Sequence, residues 1–172
     1  MEGEIRMQKV ISILKSKPAI SIGSFLLGIL VVMVAMKVMA PSMMIHERVS
    51  PLGFEETVER IQQNAEALGW SVTKIYNFQE AIMAKGLGDV GRIKVLELCQ
   101  PHYAYGLLED GNNKFVSVMM PCAIAVYEKE DGSVYVSSMN VGFMGKIFGG
   151  GIDEAMSKVA GDDKKILSFL KE

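Results

Sequence analysis

The first apolar block of the chain is an uncharged run of nineteen residues from Pro18 to Met36, with Lys17 and Lys37 at its two ends. At ~1.5 Å per residue, a helix of this length spans about 28 Å, close to the ~30 Å hydrocarbon core of a bilayer. A helix also pairs its own backbone groups, as lipid requires, whereas a buried core helix this long usually carries a polar face. The pattern predicts a transmembrane anchor over residues 18–40, preceded by a cytoplasmic lead over residues 1–17.

A second pattern, with apolar residues three or four positions apart, predicts a helix from Phe54 to Leu68. Gly69 ends this helix at the position where a left-handed residue is usual. Two β patterns with short helices after them follow: Trp70–Tyr76 with Phe78–Lys85, and Ile93–Cys99 with His102–Glu109.

The last third of the chain predicts a hairpin and a terminal helix. A long β run over Phe115–Glu128 is interrupted by Pro121, Asp131-Gly132 is a hairpin signal, and Val134–Ser138 returns antiparallel. Val141–Gly151 is rich in glycine and reads as a mobile or closely packed loop, before a helix over Ile152–Leu170. Mixed hairpins and helices predict an α+β fold, a small antiparallel sheet packed with helices, as one soluble domain. The domain is expected over residues 53–172, after a linker over residues 41–52 in which Met43–Val49 is a candidate short strand.

Positive charges flank the predicted anchor unequally, which sets an expected orientation. Four precede it and two follow it over a similar distance: Arg6, Lys9, Lys15 and Lys17, then Lys37 and Arg48. The positive-inside rule then predicts a single-pass protein of the cytoplasmic membrane, with the N-terminus in the cytoplasm and the C-terminal domain periplasmic or extracellular. A signal peptide has the same charge pattern, but its apolar core is usually shorter. Pro41, directly after the small-residue pattern Val38-Met39-Ala40, argues against cleavage, so we expect an uncleaved signal-anchor.

Charge and composition limit the classes of partner that the chain is expected to bind. The net charge is −2 and no basic stripe is visible, so nucleic acid is not an expected partner. Membrane lipid, contacted through residues 18–40, is the expected one. An apolar lip in the glycine-rich segment is a candidate docking surface for a partner or the membrane, with packing onto the domain's own sheet as the alternative; its residues are Phe143, Met144, Ile147 and Phe148.

Candidate chemistry rests on Cys99 and Cys122, the two cysteines of the chain, each near a proline at the end or interruption of a strand. One interpretation is a disulfide or two packed thiols; closing a loop of some 23 residues contributes about 3 kcal/mol on the chain-entropy model. A second is a soft-metal or haem site for copper(I), zinc or haem iron, with His102, Met119, Met120 and Met139 as helpers beside both cysteines. No Cys-x-x-Cys is present, so a zinc ribbon and covalent c-type haem lack support.

A third interpretation is thiol chemistry, by sulfur transfer or disulfide exchange. Cys99 is then the nucleophile, because a helix starting near Pro101 would place its positive end close to the sulfur and lower the thiol pKa. Cys122 would be the resolving partner. The three interpretations stay open on the sequence alone.

Three segments of the domain resemble the family called domain of unknown function 302, over about residues 50–165. They are Phe54-Glu-Glu-Thr-Val-Glu-Arg-Ile with Leu68-Gly69-Trp70-Ser-Val, Val95-Leu-Glu-Leu-Cys99-Gln-Pro101, and Met120-Pro121-Cys122-Ala-Ile-Ala-Val-Tyr127 before Asp131-Gly132. The resemblance implies a small α+β domain with an antiparallel sheet, a homodimer, and a link to sulfur or redox metabolism. The cysteine pair is similar to the membrane-anchored branch of the family.

The resemblance implies no reaction and no cofactor. Together with the anchor, it leads us to expect a binding or accessory protein rather than an enzyme, as a subunit of a membrane redox or sulfur-handling complex. The alternatives are the thiol enzyme using Cys99 and Cys122 and the soft-metal or haem binding protein.

Overall fold

A computed structural model of the chain describes residues 24–171. The predicted lead over residues 1–17 and the first part of the predicted anchor, residues 18–23, lie outside the described residues. The chain divides into two units, residues 1–41 and residues 42–172. In the first, the described residues form the greater part of a helix, α1, which runs from Ser24 to Met44.

Helix α1 is the one helix between residues 24 and 171 that is long and apolar enough to cross a membrane, by length and composition. Its 21 residues have a mean hydropathy of 2.1 and no burial within the protein. They span about 32 Å, which matches the hydrocarbon thickness of a bilayer. A signal sequence near an N-terminus meets the same criterion.

The second unit is an α+β domain built on a five-stranded antiparallel sheet of strand order β1-β5-β4-β3-β2. The strands are β1 Ile45–Val49, β2 Ser71–Asn77, β3 Ile93–Cys99, β4 Cys122–Glu128 and β5 Val134–Met139. The helices are α2 Phe54–Ala67, α3 Phe78–Met83, α4 Pro101–Leu108, α5 Val141–Phe148 and α6 Gly150–Ile166, with a 3₁₀ helix over Gly111–Met119. The predicted α+β class with an antiparallel sheet is confirmed.

The main core lies on one face of this sheet. Helix α2 contributes a buried stripe with the predicted spacing, and the inward residues of β3, β4 and β5 oppose it. The buried side chains are Phe54, Val58, Ile61, Ala65, Leu96, Leu98, Ile124, Val126 and Val136, joined by Ile166, Leu167 and Leu170 at the end of the chain. A smaller apolar cluster, Leu107, Val116, Ile152 and Met156, joins α4, the 3₁₀ helix and α6.

Residues 41–52, predicted as a linker, are mostly regular structure. Helix α1 continues through Pro41 to Met44, and β1 begins at the next residue. The reason is backbone pairing: β1 joins the edge of the sheet against β5, in the register Ile45 to Met139 through Val49 to Tyr135. The edge strand therefore follows α1 with no residue between them.

Two local predictions are wrong. Residues 115–119, predicted as the start of a β run, belong instead to a 3₁₀ helix over Gly111–Met119, which begins where the Asp110 side chain accepts the Asn112 N–H at 2.9 Å. The Met120–Pro121 peptide bond is cis, and β4 starts only at Cys122. The glycine-rich segment is helix α5, capped by the Asn140 side chain, which accepts the Phe143 N–H at 3.1 Å.

Candidate functional site

The two cysteines lie at the same end of two neighbouring strands. In the β3–β4 register Cys122 is opposite Leu98, and in the β2–β3 register Cys99 is opposite Ser71. Leu98 is buried in the core, whereas Ser71 is exposed. Because side chains alternate along a strand, the register directs Cys122 to the helix-covered face and Cys99 to the other face.

The strand register also affects whether the two thiols can form a disulfide. Adjacent strands bring their Cα atoms close, but a disulfide also requires Cβ atoms that point towards each other. Cys122 packs against the main core and Cys99 does not. Both are free thiols of intermediate exposure. The two thiols are therefore unbridged in this structure, although both adjoin the cavity at the ends of β3 and β4.

A cavity of about 60 Å³ lies beside Cys122, between the ends of β3 and β4 and the helices α4 and α6. Five sulfur-bearing residues contribute to its wall: Cys99, Met119, Met120, Cys122 and Met156. Most of the remaining wall is apolar or aromatic, including Trp70, Tyr103, Leu107 and Val116. The wall of the cavity is therefore mostly apolar and also contains polarisable sulfur atoms.

A second cavity, of about 140 Å³, shares Cys122, Met119 and Trp70 with the first. Its polar wall consists of Ser138 and Asp163. Organic ligands usually occupy sites of ~300–1,000 Å³, so each cavity admits an ion-sized guest and neither admits a haem. Cys122 is the cysteine common to both cavities.

Burial raises the pKa of the Cys122 thiol to about 11, with additional contributions from the charge of Asp163 and from Cys99. The pKa of Asp163 is itself raised by burial, against the opposing effects of Arg48, the Ser138 hydroxyl and His46. The Ser138 hydroxyl donates to the Asp163 carboxylate at 3.3 Å. Cys122 is therefore a protonated thiol at neutral pH, and a protonated thiol is a poor nucleophile.

Asp162, the neighbour of Asp163 on α6, fixes the wall of the first cavity. Its carboxylate accepts the Trp70 indole N–H at 3.2 Å, the Tyr103 hydroxyl at 3.0 Å and the Lys165 ammonium at 2.9 Å. Burial raises the pKa of Asp162, but these three donors outweigh burial and hold the pKa below its usual value. The Trp70 and Tyr103 rings meet edge to face with centroids 6.0 Å apart. One carboxylate thus positions both aromatic rings.

The structure places all but one of the six predicted ligand residues at the two cavities. Cys99, Met119, Met120 and Cys122 line the first cavity and Met139 lines the second, whereas His102 is exposed in the first turn of α4 and lines neither. The His102 N–H donates to the Gln100 side chain, which caps α4. Between residues 24 and 171, no group of three or more His, Cys, Asp and Glu side chains is arranged to hold a metal. A metal in this part of the chain would therefore need methionine sulfur.

Sequence reasoning missed Met156, Trp70 and Asp162 as parts of the site. Met156 and Asp162 lie on α6, more than 30 residues after Cys122 in the chain, and only the packing of α6 brings them close. One signal was available: a lone tryptophan buried at the start of a strand needs an acceptor for its indole N–H.

The family profile of the domain of unknown function DUF302 matches residues 46–170. The chain belongs to the DUF302 family. The predicted resemblance is confirmed, and both cavities and both cysteines lie inside the matched DUF302 region.

A solved DUF302 structure has the same fold. The crystal structure of an uncharacterized conserved DUF302 protein from Bacillus stearothermophilus superposes with a TM-score of 0.65 at 21% sequence identity. The match covers 74% of this chain and 98% of that one. No curated protein matches the chain. The DUF302 comparisons therefore establish family and fold.

Proposed function

We propose that this chain is a membrane-tethered binding protein whose domain takes up copper(I) in the cavity at Cys122. The observation that carries the proposal is the concentration of sulfur-bearing residues around one small, dry cavity. Thiolate and thioether sulfur are the protein ligands that select Cu(I). Hard cations such as Mg²⁺ and Ca²⁺ need several oxygen ligands, whereas the side-chain oxygens of this wall are those of Gln100 and Tyr103, both engaged in hydrogen bonds.

The donor set distinguishes copper(I) from zinc. Structural zinc sites use four cysteine or histidine ligands, but neither histidine lines the first cavity. Cys122 faces this cavity from the start of β4, Met119 and Met120 approach from the end of the 3₁₀ helix, and Met156 approaches from α6. Cys122 with two of these thioethers makes a three-coordinate sulfur site, for which Cys99 is not needed.

The protonation of Cys122 favours binding over thiol catalysis. With a pKa of about 11, about one thiol in 10⁴ is ionised at pH 7. A thiol enzyme needs the thiolate in its resting state. A metal ion needs no preformed thiolate, because it displaces the proton: the Cu–S bond forms, the S–H bond breaks and the proton passes to solvent, with no change in oxidation state.

An anaerobic titration of the detergent-solubilised full chain with Cu(I), against a chromophoric Cu(I) chelator, tests the proposal. We expect one Cu(I) per chain, an affinity at least 100-fold lower in Cys122→Ser, and a loss of about tenfold in Met120→Leu. Met83→Leu is the matched control, since Met83 is an exposed methionine on α3, and it should bind as the parent chain does. Equal affinity in Cys122→Ser and the parent chain would refute the copper site.

We propose further that α1 anchors the chain in the cytoplasmic membrane and that the domain lies outside the cytoplasm. The apolar length of α1 supports the anchor, and the excess of Lys and Arg before it supports the orientation. Glu130→Cys places an exposed thiol on the hairpin tip, and a Cys99→Ser, Cys122→Ser background removes the native thiols. A membrane-impermeant maleimide should label this variant in intact spheroplasts. Labelling only after lysis would place the domain in the cytoplasm.

A further inference from the structure

Four large apolar side chains of the domain are exposed on two segments that meet at one pair of aromatic rings. Phe115 and Val118 project from the 3₁₀ helix with 60% and 87% exposure, and Ile147 and Phe148 project from the last turn of α5 with 62% and 40%. The rings of Phe115 and Phe148 lie 6.0 Å apart between centroids. These four side chains, called here the apolar patch, therefore join two separate segments of the chain.

Domain stability does not account for the patch. In the 3₁₀ helix Val116 is 1% exposed and fills the smaller core cluster, while its neighbours Phe115 and Val118 face outward. Lys114 and Lys146 adjoin the patch in sequence and are both exposed. Neither forms an ion pair with any residue of the described range 24–171. The surface is thus apolar with free positive charges beside it.

Asn140, at the start of α5, is hydrogen-bonded to the first residues of the domain. Its backbone N–H donates to the Met44 carbonyl at 2.7 Å, and its side-chain amide donates to the Met43 carbonyl at 2.9 Å. The same side chain caps the first turn of α5. Since α5 has eight residues and is about 12 Å long, Ile147 and Phe148 lie about one α5 length from Asn140 and from the residues at which the chain enters the domain.

We propose that the apolar patch inserts into the interface of the bilayer that holds α1, with Lys114 and Lys146 facing anionic headgroups. The inference rests on the proposed anchor. Phenylalanine and aliphatic side chains beside lysine are the composition of interfacial membrane contacts, which bury an apolar face at the boundary of headgroups and acyl chains. Met43 and Met44, the residues that α5 contacts through Asn140, are the first of the domain after the proposed anchor, so the tether keeps the patch within reach of the bilayer.

Tryptophan fluorescence in proteoliposomes tests the depth of the patch. The full chain carries Phe148→Trp, or as a matched control Phe78→Trp, since Phe78 is 42% exposed on α3. The emission of Trp70, which is common to both, is subtracted with the parent chain. In vesicles of phosphatidylcholine and phosphatidylglycerol (3:1), brominated acyl chains should quench Phe148→Trp at least threefold more than Phe78→Trp. Equal quenching of the two variants would overturn the inference.

Further outcomes separate this inference from the anchor and from a protein partner. If the chain does not float with vesicles, both the anchor and the patch inference fail. If it floats but Phe148→Trp is unquenched, only the patch inference fails, and the surface belongs to a protein partner or to a second copy. The charge role predicts that Lys114→Glu with Lys146→Glu lowers the quenching in the anionic vesicles at least twofold and changes it little in pure phosphatidylcholine. An equal effect in both lipids would overturn the headgroup contact.

Discussion

The close approach of α5 and α6 at Gly145 yields a prediction with a defined sign. A Cβ atom at position 145 would lie 2.8 Å from the Met156 Cβ and 3.2 Å from the Asp153 Cα. Real Cβ atoms do not tolerate the shorter distance, and neither neighbour is the flexible tip of a side chain. Gly145→Ala must therefore shift α6 itself, together with Met156 in the cavity wall.

The magnitude is the difference of two effects. Overpacking of this kind costs about 1–3 kcal/mol, and the absence of a flexible neighbour puts Gly145→Ala at the upper end. Alanine regains about 1 kcal/mol over glycine in a helix. The net loss of unfolding free energy is then about 1–2 kcal/mol. Gly161→Ala is the control, because Gly161 is exposed within α6 and has nothing within 4 Å of an added Cβ; it should gain about 1 kcal/mol.

Thermal unfolding of the detergent-solubilised full chain, followed by the emission of the single tryptophan Trp70, measures both variants. Trp70 is 5% exposed, so its emission reports loss of the core. For a domain of this size a change of 1 kcal/mol moves Tm by about 3–5 °C. We expect a lower Tm for Gly145→Ala, a higher Tm for Gly161→Ala, and weaker Cu(I) binding only in the former. Shifts in the same direction would refute the packing argument for α5 and α6.

Three further predictions follow from the charges and hydrogen bonds around the site. Asp162→Asn should destabilise the domain by about 1–2 kcal/mol, because it weakens charge-assisted bonds to Trp70 and Tyr103. Since the pKa of Asp162 is lowered in the folded state, this stability difference is complete above about pH 4 and shrinks as the pH falls through the folded-state pKa. Asp163→Asn should be neutral or stabilising at pH 7, because the folded pKa of Asp163 is raised, and its advantage should vanish below about pH 4, where both states are protonated; a lower Tm for Asp163→Asn than for the parent chain at pH 7 would contradict this sign. Cu(I) affinity of the parent chain should rise about tenfold per pH unit from pH 6 to 9, because one proton leaves Cys122; a pH-independent affinity would contradict a thiolate ligand.

The parts of the fold that follow from local periodicity were predictable. The stripe of α2 sets its own period and its end at Gly69, and the hairpin at Asp131-Gly132 fixes the β4–β5 pairing. The β prediction for residues 115–119 is wrong because a short apolar run does not distinguish a strand from a helical turn. The Asp110 cap favours the 3₁₀ helix that the structure shows. Helix α5 was misread because its glycines serve the approach to α6 at Gly145, a reason that lies 11 residues away, at Met156.

The site was predictable only in part, for a related reason. The prolines near Cys99 and Cys122 predict that both cysteines lie at the ends of strands. The sheet face on which each cysteine lies depends on the exact register of three strands, which the sequence does not give. Met156 and Asp162 reach the cavity through the packing of α6, and no spacing in the sequence encodes that contact.

X-ray absorption at the copper edge of the Cu(I)-loaded full chain tests the central proposal most directly. A Cu(I) ion held by Cys122 and methionine thioethers has a first coordination shell made entirely of sulfur, and Cys122→Ser should lose the bound metal. A shell of nitrogen or oxygen atoms, or an unchanged spectrum in Cys122→Ser, would contradict the proposed site.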